Sequence, residues 1–198
     1  IFFVDEIQKI PNWSESVKAL WDKEKKGERL KVVLLGSSAL SLQSGLKESL
    51  AGRFERIRAY HWNYPETKKA FDWDLDKFLI YGGYPGSYEY VDDYSRWYEY
   101  IKNSIIENVI GRDILQLQTI NKPSLFRQAF EILSSYPAQE ISYNKVLGQL
   151  QDKGNTDLVK RYINIYCGAF LFQALAKHGS QLFKIKTSSP KICSLAPA

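Results

Sequence analysis

Two adjacent carboxylates, Asp5 and Glu6, follow directly on four apolar residues, Ile1–Val4. An apolar run of that length, ended by acids, suits a strand buried on both faces of a sheet. The acids then emerge at the strand's carboxyl end, which is where open α/β sheets bind their ligands. In that position a first acid can hold the hydration shell of Mg²⁺ and a second can orient an attacking water, as phosphoryl transfer requires. Taken alone the pair is also an ordinary acidic turn in which Asp5 caps a turn or helix, and the motif by itself favours that plainer reading.

Two further groups shift the balance. Leu30–Leu35 is a second apolar run, closed by Gly36, Ser37 and Ser38 about 30 residues after the first. On a neighbouring strand this puts a small hydroxyl, Ser37, beside the two acids, where it can sense a γ-phosphate or hold a water. The alternative is a plain Gly-Ser turn. Leu50-Ala51-Gly52-Arg53 follows, and a guanidinium on such a loop can neutralise charge on a transferring phosphate, within one chain or towards a neighbouring subunit. Its alternative is an exposed ion pair.

Other chemistries lack parts. The two histidines, His61 and His178, are far apart and have no Cys or His nearby, so a zinc site is not expected. Neither lies near a plausible nucleophile. Cys167 and Cys193 are the only cysteines. Two thiols make no disulfide framework in a chain of this length, and a reducing, cytoplasmic compartment is the expectation. No apolar run approaches the roughly 20 residues a membrane span needs. Methionine is absent throughout and the first residue already belongs to a strand, so the N-terminus is expected to be cut.

The elements that must position these residues are legible in outline. A helix is expected after Asn12, with Trp13, Val17, Leu20 and Trp21 on one face. Strand, helix and strand then form a βαβ unit with a parallel sheet, and Phe54–Trp62 alternates as a third strand. Glu66–Phe71 and Leu75–Tyr81 predict short helices before the Gly82-Gly83-Tyr84-Pro85-Gly86 turn. A long helix follows from Tyr94 to Leu117, stepped by three and four. Beyond Pro123, three helices are expected: one through Leu125 and Leu133, one capped by Ser142 and one capped by Thr156. Strands at Ala169–Leu175 and Leu182–Lys186, joined around Gly179-Ser180, complete a winged-helix pattern. Eight Tyr and Trp residues crowd positions 81–100. Base stacking is one reading of them, and packing of the long helix, which the periodicity favours, is the other.

Charge is uneven. Residues 1–120 carry 17 Lys and Arg against 18 Asp and Glu, whereas residues 121–198 carry 10 against 4. The overall net charge of +5 therefore belongs to the C-terminal part, a reason to consider nucleic acid as a partner. Lys160, Arg161 and Asn164 fall opposite the apolar stripe of the third helix, and Lys184 and Lys186 alternate with Phe183 and Ile185. A recognition helix and a basic wing of this kind can meet DNA phosphates. A solvated face is the competing reading.

Ile-Phe-Phe-Val-Asp5-Glu6-Ile-Gln8 with Trp13 behind it, Leu-Leu-Gly-Ser37-Ser38-Ala, Leu-Ala-Gly-Arg53-Phe and Gly82-Gly83-Tyr84-Pro85 together resemble a prokaryotic AAA+ (P-loop) ATPase family. Its members carry a winged helix and a nuclease-like C-terminal domain. The resemblance spans nearly the whole chain and implies its portion from Walker B through the winged helix. The implied fold is a partial P-loop parallel α/β sheet over residues 1–65, a helical lid over 66–120 and a winged-helix domain over 121–198. By the same resemblance Asp5 and Glu6 are the Walker B acids, Asp5 serving Mg²⁺ through water and Glu6 acting as catalytic base. Ser37 is the sensor, and Arg53 the phosphate-sensing or finger arginine. The implied ligands are ATP and Mg²⁺, and self-association is possible if Arg53 acts on a neighbouring subunit. The 198 residues contain no Gly-x-x-x-x-Gly-Lys-Ser/Thr stretch. The phosphate cradle is thus missing, and this chain by itself is expected to be inactive. A non-catalytic DNA- or protein-binding module is the alternative.

Overall fold

The computed structural model describes residues 1–23, 31–36, 50–117, 120–152, 154–178 and 189–195. They fall into two compact units, Ile1–Arg58 and Ala59–Ala198. The architecture is mixed α/β. Among the described residues no helix is long and apolar enough to cross a membrane.

In the first unit, strand β1 (Phe2–Val4) leads through a 3₁₀ turn (Ile7–Lys9) into helix α1 (Trp13–Lys23), and strand β2 (Val32–Leu34) returns alongside β1. The two strands are parallel, with Phe2 opposite Val32 and Val4 opposite Leu34. A right-handed crossover through a helix is the usual way to join such a pair. Ile7, Trp13 and Leu50 form the buried cluster, with Val4, Val17 and Leu34 packed against it.

Three expectations are corrected here. Phe2, Phe3, Val32 and Val33 are at least 40% exposed, because the described part of this sheet has two strands and cannot cover both of its faces. Leu20 and Trp21 are likewise exposed on α1, since the helix meets the cluster through Trp13 and Val17 near its start. Phe54–Trp62 forms no strand. Its alternation is partial, with Arg56 and Arg58 on the face that carries Phe54 and Trp62, Ile57 is almost fully exposed, and among the described residues no strand lies beside it to complete a ladder.

The second unit opens with helices α2 (Tyr64–Phe71) and α3 (Leu75–Tyr81). Asn63 accepts from the Glu66 N–H while the Glu66 carboxylate accepts from the Asn63 N–H, a reciprocal cap. Asp74 caps α3 by accepting from the Lys77 N–H. A 3₁₀ turn (Pro85–Tyr90) precedes the long helix, which begins at α4 (Tyr94–Glu99) with Asp93 as its cap and ends at α5 (Ile114–Leu117). Between them Tyr100–Ile106 and Val109–Asp113 are π-helical. Bonds from i to i+5 bring residues five apart onto one side. Ile101 is buried in this way, and both Ile105 and Ile106 pack against the cluster that holds it. Trp73, Val91, Trp97 and Ile101 form the core here, and Tyr81, Tyr84, Tyr90 and Tyr100 pack against it.

Helix α6 (Pro123–Ser134), strand β3 (Gln139–Glu140), helices α7 (Tyr143–Gln149) and α8 (Thr156–Gly168), and strands β4 (Phe172–Leu175) and β5 (Lys191–Ser194) complete the chain. The antiparallel sheet runs β3-β5-β4. Phe126, Ala129, Val146, Val159 and Tyr166 are fully buried between the three helices. Ser142 caps α7 through the Lys145 N–H. Asn155, rather than Thr156, caps α8 through the Leu158 N–H. Strand β4 pairs antiparallel with β5, Phe172 opposite Ser194 and Leu175 opposite Lys191. The expected strand Leu182–Lys186 lies outside the described residues.

Candidate functional site

The carboxyl ends of β1 and β2 are joined beyond the last paired residues. The Leu35 N–H donates to the Val4 carbonyl at 2.8 Å and the Ile7 N–H donates to the Leu35 carbonyl at 3.2 Å. Asp5 and Glu6 are thus held beside Leu35 and Gly36. Glu6 adopts a left-handed backbone, φ 51°, a conformation that strains a residue with a Cβ and that concentrates at functional sites. Its half-buried carboxylate accepts from Gln8 Nε2 at 3.1 Å and faces Lys9 Nζ at 3.1 Å. Asp5 is exposed, and its Oδ1 accepts the Glu6 N–H at 2.8 Å. The Asp5 carboxylate thus holds the N–H of the strained Glu6, and Glu6, which precedes the 3₁₀ turn, makes no side-chain capping bond to it.

A bound Mg²⁺ usually keeps several waters and takes one or two carboxylates plus substrate phosphates. Two acids at the end of a parallel strand pair fit that donor set. They do not fit an all-protein metal cage, and among the described residues no group of three or more His, Cys, Asp or Glu side chains could hold a metal ion.

Arg53 sits on a turn anchored from below. Leu50 is buried in the cluster that holds Ile7, Gly52 takes φ 74°, and the Arg53 N–H donates to the Leu50 carbonyl at 3.0 Å. The guanidinium reaches Asp22 at 3.6 Å, near the end of α1, and the Ala51 carbonyl at 3.4 Å. The plainer expectation, an ion pair, describes its contact here. Ser37 lies outside the described residues.

In the second unit, Lys160, Arg161 and Asn164 are exposed on one face of α8, while Val159, Tyr162, Ile163 and Tyr166 are buried on the other. Tyr162 donates to the Lys122 carbonyl at 3.2 Å, and Tyr166 donates to the Phe126 carbonyl. These bonds lock α8 onto α6 and fix which residues face outward. Lys160 contacts Asp157 at 3.4 Å and lies over the Tyr143 ring at 5.3 Å. Lys184 and Lys186 lie outside the described residues.

One arrangement in this unit was invisible in the sequence. His61 Nε2 and the Tyr84 hydroxyl are 2.9 Å apart across 23 positions. They line an open cavity of about 320 Å³ with Tyr60, Trp62, Gly83 and Phe170. Burial lowers the His61 pKa and pushes Tyr84 up to about 12, so both groups stand neutral near pH 7. Among the described residues, His61 Nδ1 is buried without a hydrogen-bond partner. A glycine at position 83 is the only hint: a Cβ there would sit 2.1 Å from the Trp62 carbonyl oxygen. Most of the aromatic crowd at 81–100 is spent on packing, although Tyr88, Tyr94 and Tyr98 remain exposed.

Comparison with known proteins divides the chain in two. Residues 1–68 match an AAA domain, and residues 72–195 match a domain of unknown function, DUF8612. An uncharacterized protein of Methanocaldococcus jannaschii, MJ1544, is 24% identical over 206 residues, covering 94% of this chain and 44% of that protein. An uncharacterized protein of Haemophilus influenzae is 24% identical over 183 residues, covering 86% of this chain and 44% of that protein. The chain thus spans less than half the length of these curated relatives. No solved structure matches it.

Proposed function

The chain belongs to the DUF8612 family and carries AAA-domain sequence ahead of the matched region, and from this premise we propose that it is part of an ATPase that binds and hydrolyses Mg-ATP. The observation that carries the reading is the strand register. Val4 opposite Leu34 sets Asp5 and Glu6 at the carboxyl end of a parallel pair, beside Leu35-Gly36. Asp5 then supports the metal through water and Glu6 holds the attacking water and takes its proton. When bound, Mg²⁺ neutralises charge on the β- and γ-phosphates. Ser37, directly after Gly36, contacts the γ-phosphate or the water, and Arg53 meets the transferring group after leaving Asp22. The phosphate cradle is not among these 198 residues, so turnover is a property of the intact protein.

The test is Glu6→Gln in the intact protein, with ATP binding and phosphate release measured separately. Loss of a positioned base lowers turnover by about 10²–10⁴, and the amide should leave ATP affinity close to wild type. Unchanged turnover removes Glu6 from the role.

A second reading, a nucleic-acid-binding module, is favoured by one observation. Lys160, Arg161 and Asn164 are all exposed on one side of α8. The order helix, strand, helix, helix, hairpin with sheet order β3-β5-β4 supports a winged helix over residues 121–198, with α8 as its recognition helix.

A further inference from the structure

We infer that the cavity beside His61 and Tyr84 is a binding site for a small uncharged heteroaromatic molecule, whose ring nitrogen or carbonyl accepts a hydrogen bond from the Tyr84 hydroxyl. The inference goes beyond both readings above and uses none of the residues that carry them.

Three stretches far apart in sequence meet here: Ala59–Trp62, Gly83–Pro85 and Ala169–Phe170. All belong to the second unit. Gly83-Tyr84-Pro85 is among the motifs that carry the family resemblance, and neither reading gives it a role. The first two stretches are tightly joined, since the Trp62 N–H donates to the Gly83 carbonyl at 3.1 Å and a Cβ at position 83 would collide with the Trp62 carbonyl oxygen. Phe170 is held at φ 59°, with its ring edge-on to Tyr60 at 5.2 Å. That backbone strains a residue with a Cβ, and such strain collects at functional sites.

The lining decides the class of ligand. A volume of about 320 Å³ lies at the small end of the range for ligand sites, which suits one ring or two fused ones. Tyr60, Trp62, Tyr84 and Phe170 supply aromatic wall, and among the described residues no Lys, Arg, Asp or Glu lines it. An ion would be partly desolvated there without a counter-charge. His61 offers none either, because burial lowers its pKa and keeps the imidazole neutral near pH 7.

The hydrogen bond between the pair decides the polarity. A neutral imidazole has one N–H, and among the described residues His61 Nδ1 is buried without a partner. With the proton on Nδ1, a buried donor is left unused and the Tyr84 O–H is consumed by Nε2. With the proton on Nε2, the imidazole donates to the Tyr84 oxygen at 2.9 Å, and the Tyr84 O–H can donate into the cavity. The second arrangement makes one more bond. Tyr84 therefore presents a donor, and a ring that brings no acceptor leaves it unpaired at a cost in affinity.

The experiment is NMR titration of the whole chain near pH 7 with quinoline, which has a ring acceptor. Indole, which has a donor and no acceptor, and benzoate, which is an anion, are the controls. Quinoline should shift the Trp62 indole N–H signal and bind more tightly than either control. Tyr84→Phe keeps the ring and removes the donor, so it should weaken quinoline about three- to tenfold and leave indole unchanged. Ala169→Phe and, separately, Ala59→Phe fill the cavity and should abolish binding; thermal unfolding of each variant shows which of them folds. Nitrogen-15 labelling of histidine should find His61 as the Nε2–H tautomer, with His178→Gln making the assignment. Absence of quinoline binding overturns the site, and so does binding that folded cavity-filling variants leave intact. Benzoate bound as tightly as quinoline overturns the uncharged class. Indole bound as tightly, indifference to Tyr84→Phe, or an Nδ1–H tautomer overturns the role of the Tyr84 hydroxyl.

Discussion

The Arg53 guanidinium and the Asp22 carboxylate stand 3.6 Å apart, both side chains partly exposed. Exposed ion pairs of this kind contribute about 0–1 kcal/mol, so Asp22 holds Arg53 only loosely. The backbone beneath is firmer, because Leu50 is buried and Gly52 supplies the left-handed corner. A firm turn with a loosely held guanidinium suits a residue that must reach a transient charge.

If Arg53 serves the transferring phosphate, Arg53→Ala in the intact protein lowers kcat by on the order of 10³ or more. Loss of the Asp22 pair alone costs at most about 1 kcal/mol of stability. Steady-state phosphate release and urea unfolding separate the two effects. Wild-type turnover with a slightly lower unfolding midpoint would leave Arg53 a surface ion pair.

Gly83→Ala tests the close approach between two chain segments. The added Cβ would meet the Trp62 carbonyl oxygen at 2.1 Å, and the Trp62 N–H donates to the Gly83 carbonyl at 3.1 Å in the same place. Backbone must move on one side or the other, at about 1–3 kcal/mol by analogy with overpacked cores. A urea midpoint equal to wild type contradicts this.

His61 gives the second unit a pH dependence. Burial lowers its folded pKa below the ordinary 6.5, so the unfolded chain binds the proton more readily. Stability from this residue is therefore complete above about pH 6.5 and is lost as pH falls from there through the folded pKa. His61→Gln should flatten the stability profile on the acid side of pH 6.5. Chemical denaturation at several pH values reads this out, and a profile with the same acid-side slope excludes His61 as its source.

Tyr166 is fully buried and donates to the Phe126 carbonyl, tying α8 to α6. Tyr166→Phe removes the donor and leaves the ring, so the loss should be about 1 kcal/mol, rising to about 3 if the carbonyl is left unsatisfied. Thermal unfolding of the pair checks it. A variant more stable than wild type would mean that the bond is worth less than the cost of burying the hydroxyl.

Local chemistry was readable without coordinates where neighbours in sequence decide the outcome. Asp74, Asp93 and Ser142 each accept a backbone N–H from a residue two or three places on, so the helix starts are written into short stretches. The apolar runs Ile1–Val4 and Leu30–Leu35, joined through an amphipathic helix, carry the information for a parallel pair. Even here a one-residue choice went the other way. Asn155 caps α8 and Thr156 does not, because both residues are good caps and the packing of Tyr162 and Tyr166 sets the phase.

The sequence by itself determined that two acids follow an apolar strand, that a βαβ unit presents them at a sheet end, and that the basic charge gathers beyond residue 120. Those features depend on residue type and short spacing. Tertiary structure alone decided the rest. Strand β5 pairs with β4 across an interval of 15 residues, and only the ladder fixes that register. The π-helical turns between Tyr100 and Asp113 reset the stripe of the long helix, which follows what packs against it rather than intrinsic period. Phe54–Trp62 has a strand's partial alternation but, among the described residues, no strand beside it, and a ladder needs two partners. His61 meets Tyr84, and Lys145 meets Tyr136, across gaps of 23 and 9 positions that only folding closes.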